Sequence, residues 1–187
     1  MALKAENLTK SFGDNLVIDR FSHEFAENTA TVIMGPSGCG KSTLLSMLMG
    51  ILPPDSGTVI RNPAKIGAVF QEDRLCENLS VQSNLRLVVK GKRKFDTELE
   101  AVGLAGCEKK PVRELSGGMK RRIALLRALI YEPDILFLDE PFKGLDSDTK
   151  RTVMEYCKQK TAGKTVILVT HDKEEADIFA GEIITLE

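Results

Sequence analysis

Apolar residues near the start of the chain alternate with polar ones, and further along they collect into short continuous runs. The patterns of residues 3–8 and 16–25 predict a pair of antiparallel strands, the second with a period of two. Phe21, His23 and Phe25 share one face of the second strand, where we interpret His23 as a partly buried structural residue. Further strands are predicted at residues 30–34, 58–60, 66–70, 135–138, 165–169 and 182–186.

Helical patterns separate these strands. Apolar residues at intervals of three and four predict helices over residues 43–49, 97–102, 147–160 and 173–179. Ser80 and Ser116 are each placed to cap a further helix, the first reaching Val89 and the second ending before Pro133. The alternation predicts one α/β domain over residues 1–187 with a largely parallel sheet. Residues 1–79 and 131–187 are expected to form its core, with an antiparallel β-subdomain, and residues 80–130 a small helical subdomain.

The composition is that of one globular domain. The chain has 187 residues, of which 42% are hydrophobic and 28% charged, and its net charge is −1. This balance argues against a nucleic-acid partner, and we interpret the basic run 120–122 as a solvated face. No apolar run approaches the roughly 18 residues that span a bilayer, so a membrane role is expected to act through a partner.

The cysteines carry no metal or disulfide signal. Cys39, Cys76, Cys107 and Cys157 show neither CxxC spacing nor a nearby histidine pair. We therefore expect free thiols in a reducing cytosol.

A phosphate-binding loop follows the predicted strand 30–34. The pattern G-x-x-x-x-G-K-[ST] is spelled by Gly35, Pro36, Ser37, Gly38, Cys39, Gly40, Lys41 and Ser42. Glycines let successive N–H groups turn towards phosphate oxygens, and the helix that follows adds the positive end of its dipole. We expect Lys41 to reach the β- and γ-phosphates of a nucleotide and the Ser42 hydroxyl to bind Mg²⁺. A glycine-rich turn without a ligand is the alternative.

Polar side chains end several of the predicted strands. Asp139 and Glu140 follow the apolar run 135–138, Gln71 follows the strand 66–70, and His171 follows the strand 165–169. Ligands of open α/β sheets bind at the carboxyl ends of the strands. Asp139 is therefore expected to hold Mg²⁺ and Glu140 to deprotonate an attacking water. A solvated pair of carboxylates, and a structural histidine, are the alternatives.

Two glycines stand at the start of a predicted helix. Ser116, Gly117 and Gly118 expose N–H groups and a hydroxyl there, which is an anion site in itself. Glycine weakens a helix unless something must approach its backbone closely. A plain cap and turn is the alternative for this segment taken alone.

Taken in order, these segments resemble the ATP-binding cassette (ABC) ATPases over essentially the whole chain. Phe12 matches the aromatic residue that stacks on adenine, residues 35–42 the Walker A motif, and Gln71 the Q-loop. Residues 115–119 match the signature, 135–140 Walker B and 144–146 the D-loop, and His171 matches the switch histidine.

The resemblance implies a mechanism. Two cassettes face head to tail, so that each ATP lies between Walker A of one subunit and Ser116, Gly117 and Gly118 of the other. Lys41, Gln71, Glu140 and His171 are the implied catalytic residues. Thr43 and Asp146 are implied nucleotide contacts, and the implied Mg²⁺ ligands are Ser42, Gln71 and Asp139.

Two short peptides, whose sequences are not fixed by the catalytic motifs, indicate the subfamily. Residues 69–75 and 139–142 look like those of importers of nitrate, sulfonates and taurine. Phe12 stands where Tyr is commoner, Met119 replaces the usual Gln of the signature, and Lys143 sits where a small residue is usual. The C-terminal regulatory extension of many importer cassettes is expected to be absent.

The resulting hypothesis is the ATPase subunit of a transporter, a homodimer held on the inner face of the cell membrane by separate permease subunits. Asp73, Arg74 and Leu75 are expected to face outward, towards the permease. One alternative is a soluble cassette of DNA repair or translation, although no long coiled coil and no second cassette is present. Another is a phosphate-loop kinase, which needs no second phosphate-binding element.

Overall fold

The computed structural model describes residues 3–62, 64–91, 93–179 and 181–187. The strands are β1 (Leu3–Phe12), β2 (Asn15–Phe25), β3 (Ala30–Met34), β4 (Ser56–Arg61), β5 (Ile66–Val69), β6 (Ile135–Asp139), β7 (Thr165–Val169) and β8 (Glu182–Thr185). The helices are α1 (Lys41–Leu48), α2 (Val81–Arg86), α3 (Asp96–Ala101), α4 (Gly117–Ile130), α5 (Ser147–Lys160) and α6 (Lys173–Phe179), with a 3₁₀ turn at Val112–Glu114.

Two compact units make up the chain. The first takes the residues up to Ile66 together with Pro133–Asp139 and Gly163–Glu187, and the second takes Gly67–Glu132 and Glu140–Ala162.

The first unit contains the predicted antiparallel sheet, in which β1 lies between β2 and β4. Leu3 pairs with Phe25 on one side and with Arg61 on the other. Leu3, Ala5 and Leu8 are fully buried, so one face of this sheet is a core face. The pairing continues to Phe12, four residues beyond the predicted end of β1, because β2 offers backbone partners as far as Asn15.

Four parallel strands of the first unit lie in the order β6, β7, β3 and β8. Every residue of β6 and β7 is buried, and for β6 the continuous apolar run 135–138 predicted this burial. Helix α1 packs against β6 and β7, and α6 packs against β3. The predicted parallel sheet is therefore confirmed.

The second unit is mostly helical. Ser80 caps α2, accepting a hydrogen bond from the Ser83 amide at 3.2 Å, as predicted. The helix ends at Arg86, so Val89 lies outside it; the amides of residues 88 and 89 instead make short-range turn bonds. Helices α2 and α5 pack against α4, and α3 packs against α5. Among the described residues, no helix is long and apolar enough to cross a membrane.

Candidate functional site

The ends of three parallel strands in the first unit are level with one another. Val169 of β7 pairs with Asp139 of β6 on one side and with Ile33 of β3 on the other. The phosphate-binding loop starts two residues after Ile33, and His171 lies two residues after Val169. The register therefore brings the loop, Asp139 and His171 to one edge of the sheet, as the sequence predicted.

The backbone of the loop depends on its glycines. Gly38 and Gly40 have φ angles of 87° and 94°, which a residue with a Cβ rarely adopts. A Cβ on Gly40 would also lie 2.8 Å from Val17 Cγ1 and 2.9 Å from Ile18 Cδ1 of β2. The Gly40 carbonyl accepts the first bond of α1 from the Leu44 amide at 2.8 Å. The loop thus passes directly into a helix N-terminus.

Lys41 is buried, with 7% of its surface exposed. Its Nζ donates to the carbonyl oxygens of Gly35 at 2.8 Å and Pro36 at 2.6 Å, so the ammonium lies inside its own loop. Ser42 is exposed and Thr43 half-buried at the start of α1.

These residues suit a nucleotide phosphate and Mg²⁺. Glycines at 38 and 40 allow the close backbone approach that phosphate oxygens need. The hydroxyl of Ser42 and the buried carboxylate of Asp139 are hard oxygen donors of the kind Mg²⁺ prefers. Among the described residues no cluster of three His, Cys, Asp or Glu side chains could hold a metal ion.

His171 lies on an exposed bend after β7, and Phe12 lies at the exposed end of β1, both in the first unit. The turn after β7 is fixed by Thr170, whose hydroxyl donates to Glu175 at 2.6 Å and accepts from the Asp172 amide at 3.0 Å. Phe12 is 52% exposed at the end of β1, which leaves a ring face for stacking.

The second unit contains the other predicted elements. Ser116 caps α4 by accepting from the Met119 amide at 3.3 Å, and Gly117 and Gly118 form the first turn of that helix. Asp146 caps α5, and its hydrogen bonds with Thr149 hold the pKa of the carboxyl below its usual range. Both residues therefore have a structural role as helix caps.

Gln71 and Glu140 meet within the second unit. The Gln71 amide nitrogen lies 3.4 Å from Glu140 Oε2, a long hydrogen bond. Glu140 has a φ of 45°, an uncommon conformation for a residue with a Cβ and one that often marks functional sites.

A family model described as ABC transporter matches residues 18–143, well over half of the chain. The chain belongs to this family.

Similar proteins agree with that assignment. The spermidine/putrescine import ATP-binding protein PotA of Acetivibrio thermocellus is 34% identical over all of this chain and 58% of its own length. The dimeric post-hydrolysis structure of the ATP-binding cassette MJ0796, bound to ADP and Pi, has a TM-score of 0.85 at 30% identity, covering 99% of this chain and 94% of that one. Another dimeric structure of MJ0796, a bacterial ABC transporter cassette, has a TM-score of 0.86 at 30% identity, covering 98% and 94%. The predicted ABC ATPase fold is therefore confirmed, and the chain spans a little under three-fifths of its curated relative.

Sequence reasoning about this cassette missed Arg121. The basic run 120–122 was expected on a solvated face, but Arg121 is only 4% exposed. Its guanidinium donates to the carbonyl oxygens of Phe70 at 2.6 Å, Pro141 at 3.0 Å and Glu140 at 2.5 Å. A buried arginine thus joins the backbone around Gln71 to the backbone around Glu140. Helical spacing was the available signal, since Arg121 lies one turn before the buried Leu125.

The segment after Gln71 also differs from the prediction. Arg74 is exposed, as expected, with its guanidinium 3.6 Å from the centre of the Phe70 ring. Asp73 and Leu75 are only partly exposed. Asp73 turns inward because it pairs with Arg121 at 3.2 Å. Of the three residues expected to face outward, Arg74 is the one that is fully exposed.

Lys143 makes a contact that the sequence did not indicate. Its Nζ lies 2.6 Å from Glu140 Oε2, three residues earlier in the same turn. The cation therefore pairs with the carboxylate that the family resemblance makes the general base.

Proposed function

We propose that the cassette binds ATP with Mg²⁺ and hydrolyses it to drive transport through membrane-spanning subunits. The observation that carries the proposal is the position of Lys41, whose ammonium lies inside a glycine loop between a buried strand and a helix N-terminus. That position suits a cation that exchanges loop carbonyls for phosphate oxygens. Assignment to the ABC transporter family supports the same reading.

Each residue has a proposed task in hydrolysis. Ser42 and Asp139 would hold Mg²⁺, to which the family resemblance adds Gln71 as a ligand, and the ion would supply positive charge to the phosphates. Glu140 takes a proton from the attacking water, and His171 contacts the γ-phosphate. Phe12 stacks on the adenine ring, and Thr43 and Asp146 add nucleotide contacts.

Substitution of Lys41 tests the binding site. Lys41→Ala removes a charge-assisted contact worth about 1.5–3 kcal/mol, so ATP affinity is expected to fall roughly ten- to a hundredfold. Turnover is expected to fall almost completely. Lys109→Ala, at an exposed position of the second unit, is the control. Wild-type affinity and turnover in Lys41→Ala, measured by calorimetry and phosphate release, would end the proposal.

We further propose that two cassettes close on ATP, with Ser116, Gly117 and Gly118 completing the site of the partner subunit. A Cβ on Gly117 would meet nothing within 4 Å in this chain, and the residue has no positive φ. The fold itself therefore does not require glycine there, although glycine weakens a helix by up to about 1 kcal/mol relative to alanine. A ligand approaching the helix N-terminus closely accounts for it. The two similar MJ0796 structures are both dimeric, which favours a dimer for this chain as well.

The dimer is tested with a variant that binds ATP without hydrolysing it. Glu140→Gln keeps the shape of the side chain but removes the base, so with ATP it is expected to elute as a dimer. Ser116→Arg in that background places a bulky side chain where the γ-phosphate would lie, and is expected to restore the monomer. Ala105→Arg, on an exposed turn, is the matched control and is expected to remain dimeric. A Glu140→Gln protein that binds ATP but stays monomeric at high micromolar concentration contradicts the sandwich.

For the direction of transport we propose import. The curated relative is named as an import ATP-binding protein for spermidine and putrescine. The resemblance of residues 69–75 and 139–142 to importers of nitrate, sulfonates and taurine stays a prediction. We place the permease on the surface around Arg74. This contact with the permease would hold the cassette on the inner face of the membrane. Purification of the cassette with its membrane subunits, followed by uptake assays in proteoliposomes, tests this assignment.

A further inference from the structure

A groove lies beside the C-terminal end of α1, in the first unit. It has a volume of about 460 Å³, which is within the range of small-molecule sites. Its walls come from α1, from the turn that follows and from β4, and their apolar part consists of Met47, Leu52, Pro53, Pro54 and Val59. None of the described residues that line the groove belongs to the predicted nucleotide site.

Arg61 gives the groove its charge. No other charged side chain is present among the described residues that line it. Asp55 is the nearest acid along the chain, but its carboxylate accepts from Lys10 Nζ at 2.6 Å and from the Ser11 amide at 2.7 Å. The groove therefore combines an apolar wall with one positive charge, and the complementary ligand is an anion with an apolar part.

One side of the Arg61 guanidinium is used by the fold. Nη1 donates to the carbonyl oxygens of Leu48 at 3.3 Å and Met49 at 2.8 Å, which satisfies two acceptors at the end of α1. An arginine in this position is explained in part by that structural role. The two bonds also fix the guanidinium, so less side-chain freedom is lost when a ligand binds to it.

The other side of the guanidinium is available to a ligand. Nε and Nη2 of Arg61 make no hydrogen bond within the part of the chain that the structure describes. These two nitrogens form the side-on edge of the guanidinium, and this edge matches a carboxylate through two parallel hydrogen bonds.

We propose that this groove is a binding site for a small monocarboxylate with an apolar tail. The carboxylate pairs with Nε and Nη2 of Arg61, and the tail packs against Leu52, Pro54 and Val59. A multiply charged anion such as phosphate fits less well, because the apolar wall cannot replace its lost hydration. The proposal does not depend on the ATPase function, and it is tested without nucleotide.

Octanoate is the probe for the full chain, and octanol is the uncharged comparison. Met47 lines the groove, whereas Met154 lies on α5 in the second unit. With isotope-labelled methionine methyl groups, octanoate at millimolar concentration is expected to shift the Met47 signal saturably and to leave the Met154 signal unchanged. Octanol is expected to bind about tenfold more weakly, because it lacks the charge that pairs with Arg61. The absence of a saturable Met47 shift, or equal affinities for octanoate and octanol, overturns the proposal.

Two variants test the residues. Arg61→Gln removes the charge and is expected to weaken octanoate binding about tenfold, with Arg61→Lys between it and the wild type. Pro53→Glu places an acid at an exposed position of the groove and leaves Arg61 and its backbone bonds in place, so it is expected to weaken binding to a similar extent. Arg20→Gln, at an exposed arginine of β2, is the matched control and is expected to bind octanoate as the wild type does.

Melting temperatures show which variants are folded, which matters because Arg61 also holds the end of α1. If Arg61→Gln does not fold, Pro53→Glu decides alone. Wild-type affinity for octanoate in either folded variant overturns the proposal. Because these measurements contain no ATP, their failure leaves the proposed ATPase function unaffected.

Discussion

Arg121 donates from Nη2 to the backbone carbonyl oxygen of Glu140 at 2.5 Å. Glu140 has a φ of 45°, which a residue with a Cβ keeps only where its surroundings hold it. A buried cation bonded to its carbonyl provides such a restraint. Arg121 therefore supports the geometry of Glu140 through its backbone carbonyl.

Replacement of Arg121 should affect both stability and rate. Arg121→Gln leaves buried carbonyl oxygens without their donor, so the free energy of unfolding is expected to fall by about 2–4 kcal/mol. Because Glu140 loses its restraint, kcat is expected to fall at least tenfold while the KM for ATP stays near the wild-type value. Arg121→Lys keeps the charge but loses the planar fork, and is expected to lie between the two. Urea denaturation and steady-state kinetics provide the measurements.

Arg151→Gln is the control for Arg121, since Arg151 is exposed on α5. Its free energy of unfolding should stay within about 0.5 kcal/mol of the wild-type value. The restraint is refuted if Arg121→Gln and Arg151→Gln behave alike.

The cysteines should report nucleotide binding independently of turnover. Cys76 is exposed and Cys39 half-exposed in the phosphate-binding loop, whereas Cys107 and Cys157 are buried. Burial raises the pKa of the Cys157 thiol to about 12, so at neutral pH it stays protonated and unreactive. A maleimide is expected to label Cys39 and Cys76, and ATP with Mg²⁺ to slow labelling of Cys39 alone. Peptide mapping by mass spectrometry measures this, and equal rates at Cys39 with and without nucleotide contradict the binding site.

Asp55 should make the first unit sensitive to acid. Lys10 Nζ donates to its carboxylate at 2.6 Å and the Ser11 amide at 2.7 Å, and these bonds hold the pKa of Asp55 below its usual range. The stabilisation is therefore present above about pH 4, the ordinary carboxyl pKa, and is lost as the pH falls through the lower folded value. Asp55→Asn is expected to lower the melting temperature at pH 7, with the difference from wild type shrinking in acid. Asp14→Asn, at an exposed turn, should show no such pattern.

Arg74 should matter to the transporter but not to the isolated cassette. Arg74→Glu reverses an exposed charge on the surface where the permease is proposed to dock. Permease-stimulated ATPase activity and uptake in proteoliposomes are expected to be lost, while the basal rate stays within about twofold. Arg86→Glu, an exposed reversal at the end of α2, is the control. Loss of basal activity with normal coupling would assign Arg74 to catalysis instead.

Much of the fold followed from local patterns, because the decisive residues lie near one another in the chain. The run 135–138 is apolar throughout and forms a strand buried on both faces. Ser80 and Ser116 cap helices through hydrogen bonds to amides three residues later. Because both partners lie close together in the chain, such caps can be predicted from the sequence.

The remainder depended on contacts between distant residues. Arg121 bonds to the Phe70 carbonyl 51 residues away, so its burial could not be read from the basic run in which it stands. Asp73 was expected outside for the same reason, and it turns inward to meet Arg121. Helix α2 ends at Arg86 and not at the predicted Val89. The ends of short helices are poorly determined by local sequence, so this boundary was predicted wrongly.

Gly40 and Gly117 should be substituted at different rates during evolution. Gly40 is fixed by its backbone angle and by the closeness of Val17 and Ile18, so a lineage that ceased to use ATP would still keep it in order to fold. Gly117 has neither constraint, and alanine there is the better helix former. In a decaying copy released from selection, we expect drift at Gly117 long before drift at Gly40. Retention of Gly117 in a lineage therefore indicates that a ligand or partner outside the chain still contacts the N-terminus of α4.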